Sequence, residues 1–125
     1  MNGLIVFGHG SSIESANQAV RDAATGMAGR GGYDLVETAF LEGGKPDLAG
    51  AAAALVQRGA KRLIVIPYFL TLGLHLQRDL PALVESVGAE LPGVEITVTP
   101  PLDGHPALQA ILVERAAQAL REIHG

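Results

Sequence analysis

The chain has 125 residues, 48% of them hydrophobic, which is enough for one compact domain with its own core and too short for two ordinary ones. Its formal charge is only −4, its nine Lys and Arg are thinly spread and it has no cysteine; this disfavours nucleic acid and anionic membranes as partners, and excludes disulfides, thiolate nucleophiles and cysteine-held metal centres. No apolar run approaches the roughly 20 residues that span a bilayer and no basic leader precedes the first strand, so the expectation is one domain over residues 1–125, in the cytoplasm.

Residues 3–8 (GLIVFG) form a short apolar run closed by glycine, the pattern of a fully buried strand. Ser11 and Glu14 then have capping-box spacing, and Ile13, Ala16, Val20, Ala23 and Met27 recur at steps of three and four, predicting a helix that ends in the glycines at 29–32. Residues 33–41 (YDLVETAFL) are rich in β-formers. Pro46 and Asp47 open an alanine-rich helix that runs to about Gln57, with Gly59 after it. Residues 62–70 (RLIVIPYFL) are the most hydrophobic run and predict the central strand, covered on both faces. A helix follows around Leu80, Leu83, Val84 and Val87, then a strand over 93–99 (GVEITVT). A last helix over 107–123 carries Leu108, Leu112, Ala116, Leu120 and Ile123 at helical spacing.

Strand and helix alternate four times, which predicts an α/β fold: one doubly wound domain, with a four-stranded parallel sheet of order 2-1-3-4 and helices on both faces. Ligands of such sheets bind beyond the carboxyl ends of the strands, at the switch point between strands one and three. His9 lies just past strand one, Glu42 past strand two, His75 past strand three and His105 past strand four, while His124 is outside the pattern.

Two imidazoles and a carboxylate converging on one crevice would make an open N,N,O site for a divalent ion such as cobalt, nickel or iron. Taken singly, each is equally an ordinary loop residue: a solvated or capping histidine, an exposed carboxylate, or, for His105 before Pro106, the start of a helix. Gly8 and Gly10 favour a functional role for His9, because they allow close approach to a ligand and unusual main-chain angles. His75 sits in the largely apolar TLGLHLQRD stretch, where a buried imidazole would need a polar partner. Three other readings of the first loop fit poorly. The Lys-Ser/Thr ending of a phosphate-binding loop is absent, the position before His9 is glycine rather than a phosphate-binding arginine, and GHGSS is not the GxSxG of a serine nucleophile.

LIVFGHGSS, FLEGGKPDL, RLIVIPYFLTLGLHLQRDLP and DGHPAL, in that order and spacing, resemble the short CbiX-type sirohydrochlorin chelatases of the class II chelatase superfamily, over essentially the whole chain. The resemblance implies insertion of a divalent metal into sirohydrochlorin, an octacarboxylate tetrapyrrole. Cobalt, for cobalamin biosynthesis, comes first, with nickel or iron in related pathways as the alternative. It implies that His9 is a metal ligand and proton acceptor, that His75 is the second ligand and that Glu42 matches a glutamate of related two-domain chelatases. Leu70, Thr71, Leu72, Gly73, Leu74 and His75 would line the substrate, together with Lys45, which stands where family members often carry an acid. No permanently bound cofactor is implied, the metal being a substrate, and a homodimer with a shared cleft is. The competing class is a metal- or tetrapyrrole-binding carrier without catalysis.

The residue types suit metallation. An imidazole can bind the ion or take a pyrrole proton, and the absence of thiolates avoids ligands that would hold soft metals too tightly to release them. Among the basic residues only Lys45 and Arg78 fall in loops at the expected ligand edge, so these two, with helix N-termini and the Ser11 hydroxyl, are expected to meet the substrate carboxylates.

Overall fold

The computed structural model describes residues 1–124. Its elements run β1 (Asn2–Gly8), α1 (Glu14–Gly31), β2 (Val36–Phe40), α2 (Leu48–Gln57), β3 (Arg62–Pro67), α3 (Leu74–Ala89), β4 (Glu95–Val98) and α4 (Pro106–His124). The four strands form one parallel sheet of order β2-β1-β3-β4, as the alternation of elements predicts. Register follows burial. Ile5 pairs with Val65, and Val65 with Val98, so these side chains share one face of the sheet with Phe7, Leu63 and Ile96.

That face carries the core. Ile5, Phe7, Leu63 and Val65 are buried with Leu48, Ala51, Ala52 and Leu55 of α2 and with Leu80 and Val87 of α3. Full burial of each large side chain contributes about 1.5–3 kcal/mol. The alanines of α2 have a packing role, since small side chains let the helix approach the sheet closely. Its start is fixed by Asp47, whose side chain accepts a hydrogen bond from the Gly50 amide at 2.8 Å. Pro46 therefore precedes the cap instead of occupying the first helical turn.

The opposite face is covered only in part. Helix α1 lies over β1 and β2, where Leu4 and Val6 are buried and Val20 packs against Gly8. The inward face of α1 is not the stripe read from the sequence. Ile13 is exposed, and the buried positions are Asn17 and Ala24, so the helix is rotated to place a polar side chain inside. The capping box does not form either: the Ser11 hydroxyl accepts from the Ile13 amide at 3.0 Å, and Glu14 pairs with Arg21.

Beyond α1, Ile64 and Ile66 of β3 remain half-buried on this face. Helix α4 does not cover them. Among the described residues it packs along no other element, and Leu112, Leu120 and Ile123 are 69%, 55% and 75% exposed. Its root is nevertheless fastened to the domain: the Leu102 amide donates to the Phe69 carbonyl at 3.0 Å and the Asp103 amide to the Leu70 carbonyl at 2.7 Å.

Strand β3 is shorter than its apolar run. It ends at Pro67, residues 68–73 form a loop, and α3 begins at Leu74, earlier than the pattern around Leu80 suggests. This moves Leu74, His75 and Arg78 from a loop onto the first turns of a helix. No helix among the described residues is long and apolar enough to cross a membrane.

Candidate functional site

The carboxyl ends of β1 and β2 stay paired after the strands stop. The Leu41 amide donates to the Gly8 carbonyl and the Glu42 amide to the His9 carbonyl, both at 3.0 Å, so the ladder runs on into the loops. The second loop closes on itself through the Phe40 amide and the Pro46 carbonyl, 2.9 Å apart. Two glycines make this closeness possible. Gly10 has φ +91° and a Cβ there would stand 1.5 Å from the Glu42 carbonyl oxygen; Gly43 has φ +68° and a Cβ there would lie 2.9 Å from the Ser11 carbonyl. Side chains are excluded from both positions by space as well as by backbone angle.

This pairing sets His9 beside Glu42, with Nδ1 and Oε1 3.7 Å apart and side chains 58% and 71% exposed. Two donors about 2.1 Å from a shared ion, at about 110–120° to each other, are about 3.5 Å apart, so the pair can hold a divalent ion between them. The His9 ring meets the edge of Phe69 at 6.2 Å between centroids, and Phe69 in turn packs edge-on against buried Phe7. The core thereby limits how the imidazole turns.

His75 is exposed on the first turn of α3, at the same sheet edge. Among the described residues no three His, Asp or Glu side chains converge as a metal cluster. The structure thus brings together two of the three expected ligands. His105 takes the helix-start role: its Nδ1 accepts from the Ala107 amide at 3.0 Å, ahead of α4. Lys45 and Arg78 are exposed and, among the described residues, in no ion pair. Arg21 is engaged: its guanidinium lies over the Phe40 ring and, by hydrogen bond and then by charge, holds the Glu14 carboxyl below the usual carboxylate range.

The loops at this sheet edge expose apolar side chains. Ile13 from the first loop, Leu41 from the second, and Tyr68, Leu70 and Leu74 from the third region are all exposed, Leu74 to 79%. Large side chains shown to water at one sheet edge form a platform for an apolar ligand. Leu70 and Leu74 belong to the expected substrate set, with Leu72 half-buried and Thr71 and Gly73 exposed beside them. Ile13, Leu41 and Tyr68 were not legible as surface residues, because each lies in a run whose pattern reads as helix stripe or buried strand.

The curated relatives include the chloroplastic sirohydrochlorin ferrochelatase of Arabidopsis thaliana, 32% identical over 99% of this chain and 55% of its own length. They also include the sirohydrochlorin cobaltochelatase of Sulfurisphaera tokodaii, 32% identical over 97% of this chain and 96% of its own. The chain therefore spans about half of the first relative and nearly all of the second. Among solved structures, a cobalamin biosynthesis CbiX protein from Marinobacter aquaeolei superposes with a TM-score of 0.86 at 25% identity, covering 98% of this chain and 99% of that one. SirB from Bacillus subtilis with Fe3+ superposes at 0.73 and 27% identity, covering 80% of this chain and 40% of that one. The CbiX family matches residues 3–119, a span that holds all of the sheet but Asn2, the His9–Glu42 pair and His75. With the fold, the motifs and the length of the match in agreement, the chain belongs to the CbiX family.

Proposed function

We propose that this protein inserts a divalent metal, Co2+ first and Ni2+ or Fe2+ as the alternative, into sirohydrochlorin. The observation that carries the reading is the His9–Glu42 pair at 3.7 Å, at a sheet edge whose loops expose apolar side chains. A flat macrocycle needs an apolar platform for its face and donors at its centre, and both are at this edge. In the reaction His9 and Glu42 hold the ion as its water leaves, and His75 is the further ligand. As metal–nitrogen bonds form, two pyrrole protons must depart: the neutral His9 imidazole, its lone pair freed as the ion passes to the macrocycle, accepts one, and the other leaves to solvent water. Lys45 and Arg78, with the Ser11 hydroxyl and the loop amides, meet the peripheral carboxylates. Leu70, Thr71, Leu72, Gly73 and Leu74 line the macrocycle. No resident cofactor is required.

The protein works as a homodimer in this reading, in the cytoplasm. The platform is open and covers one face of a macrocycle, and α4 offers Leu112, Leu120 and Ile123 to solvent with no cover from its own domain. A second copy supplies that cover, and burying such side chains contributes about 1.5–3 kcal/mol each. The deciding experiment compares the metallation rate of purified sirohydrochlorin with the spontaneous rate, anaerobically, with each ion in turn. Acceleration with turnover is the expected result. Stoichiometric binding without acceleration would make the protein a carrier.

A further inference from the structure

We infer that Asn17 is a positioning residue for metal capture, the bridge that holds the His9 loop and the Glu42 loop at a fixed separation; this rests on the chelatase reading above. Asn17 is 1% exposed, the most deeply buried polar side chain among the described residues, and it shares the buried face of α1 with Ala24. A carboxamide there would be costly without partners. It has three. The Ser11 amide donates to Oδ1, and Nδ2 donates to the Ser11 carbonyl and to the Gly43 carbonyl, all at 2.9 Å. The two carbonyls fix the orientation of the amide, because only its nitrogen can donate to them.

One side chain thus joins residue 11, two places after His9, to residue 43, one place after Glu42, the second bond reaching 26 residues along the sequence from Asn17. No other side chain joins these two loops by a hydrogen bond among the described residues. The amide ladder brings the two backbones together at residues 8–9 and 41–42, and Asn17 closes the far end. Without the bridge, the loops remain joined on one side only, and the spacing of Nδ1 and Oε1 is free to widen. A pair of ligands that must find each other anew binds an ion more weakly than a preset pair, since ordering them then falls to the binding step. Asn17 touches neither ion nor macrocycle, so its loss should raise the demand for metal and leave macrocycle binding alone.

The test uses the parent, Asn17→Ala, Asn17→Asp and the control Ala24→Gly, which weakens the same buried helix face seven residues away without touching either loop. Asn17→Asp keeps the shape and the acceptor for the Ser11 amide but sets a carboxylate oxygen against the Ser11 and Gly43 carbonyls. Each protein is measured well below its own melting temperature. Metal-free, nuclear Overhauser contacts between the His9 ring and the Glu42 side chain report the pair. With metal, KM for Co2+ and KM for sirohydrochlorin are measured separately. The expected result is loss of the His9–Glu42 contacts and a rise of at least tenfold in KM for Co2+ in both Asn17 variants, with KM for sirohydrochlorin within threefold of the parent and Ala24→Gly unchanged in all three. Parental contacts and a parental KM for Co2+ in either Asn17 variant, or the same changes in Ala24→Gly, would overturn the inference. Should the parent itself fail to metallate, the chelatase reading falls, and the metal-free contacts still decide whether Asn17 sets the pair.

Discussion

His9 and Glu42 stand on loops that are bonded to each other and bridged by Asn17, whereas His75 rides on a helix preceded by a loop that exposes Leu70 and is bonded at its start to β1, through the Tyr68 amide and the Phe7 carbonyl, and further on to the segment leading into α4. The first half of the site is complete within α1, β1 and β2. The second half is joined through Phe69 and Leu70 to Leu102 and Asp103, and so to α4, which among the described residues packs along no other element. The difference teaches that one wall of the crevice is fixed by two loops bonded to each other, while the other, anchored to the core through Phe69 and α3, also depends on the segment that leads into α4.

The comparison breaks most severely at Gly10. Gly10→Ala puts a carbon 1.5 Å from the Glu42 carbonyl oxygen at a φ that alanine avoids. It should cost about 3 kcal/mol or more and abolish metallation; thermal melting and a single-turnover assay check both. A chain that melts and metallates as the parent does would show that the two loops are not locked together. Next, His9→Ala and His75→Ala should each remove most activity while the melting temperature stays within a few degrees, since exposed side chains at a sheet edge add little to the core. The two should then part: excess Co2+ partly restores His75→Ala and not His9→Ala, whose proton acceptor is gone.

A smaller effect is expected from the other wall. Replacing Leu112 and Leu120 of α4 by glutamate should leave the sheet folded and yield a single copy by sedimentation. Activity should fall about tenfold, because the β3–α3 loop loses its external support, while Co2+ binding at His9 and Glu42 stays near the parental value. Equal loss of both would show that the walls are not independent. The smallest effect belongs to Lys45→Ala and Arg78→Ala. Each removes one exposed charge, worth on the order of 1 kcal/mol at most, so KM for sirohydrochlorin should rise about fivefold at low salt and less at high salt. Unchanged KM at both ionic strengths would assign anion recognition to the loop amides and the Ser11 hydroxyl.

How far this division could be read from the residues depends on the kind of signal. The strands were legible because continuous burial leaves continuous apolar runs, and their order followed from alternation with helices. His9 was legible through its flanking glycines. Asn17 was not, since periodicity looks for apolar residues and a buried amide interrupts that pattern; the apolar stripe led instead to Ile13, which faces solvent. The start of α3 was missed because TLGL carries no capping side chain, and the Gly73 that precedes the helix makes no side-chain bond. The apolar spacing of α4 gave a helix with a sticky side, but amphipathic spacing carries no information on which molecule provides the opposing surface.

Gly10 and Gly43 have a consequence for how such a protein can diversify. Each loop occupies the volume that a side chain on the other would need, so neither position has a substitute that leaves both loops where they are. A mutational scan of the crevice should therefore be sharply divided, with an intolerant floor at 10 and 43 and a permissive rim at Ile13, Leu41, Tyr68, Leu70 and Leu74, whose side chains extend into open space. New preferences for the shape or edge chemistry of a macrocycle are within reach of single substitutions on the rim, while the floor stays as it is.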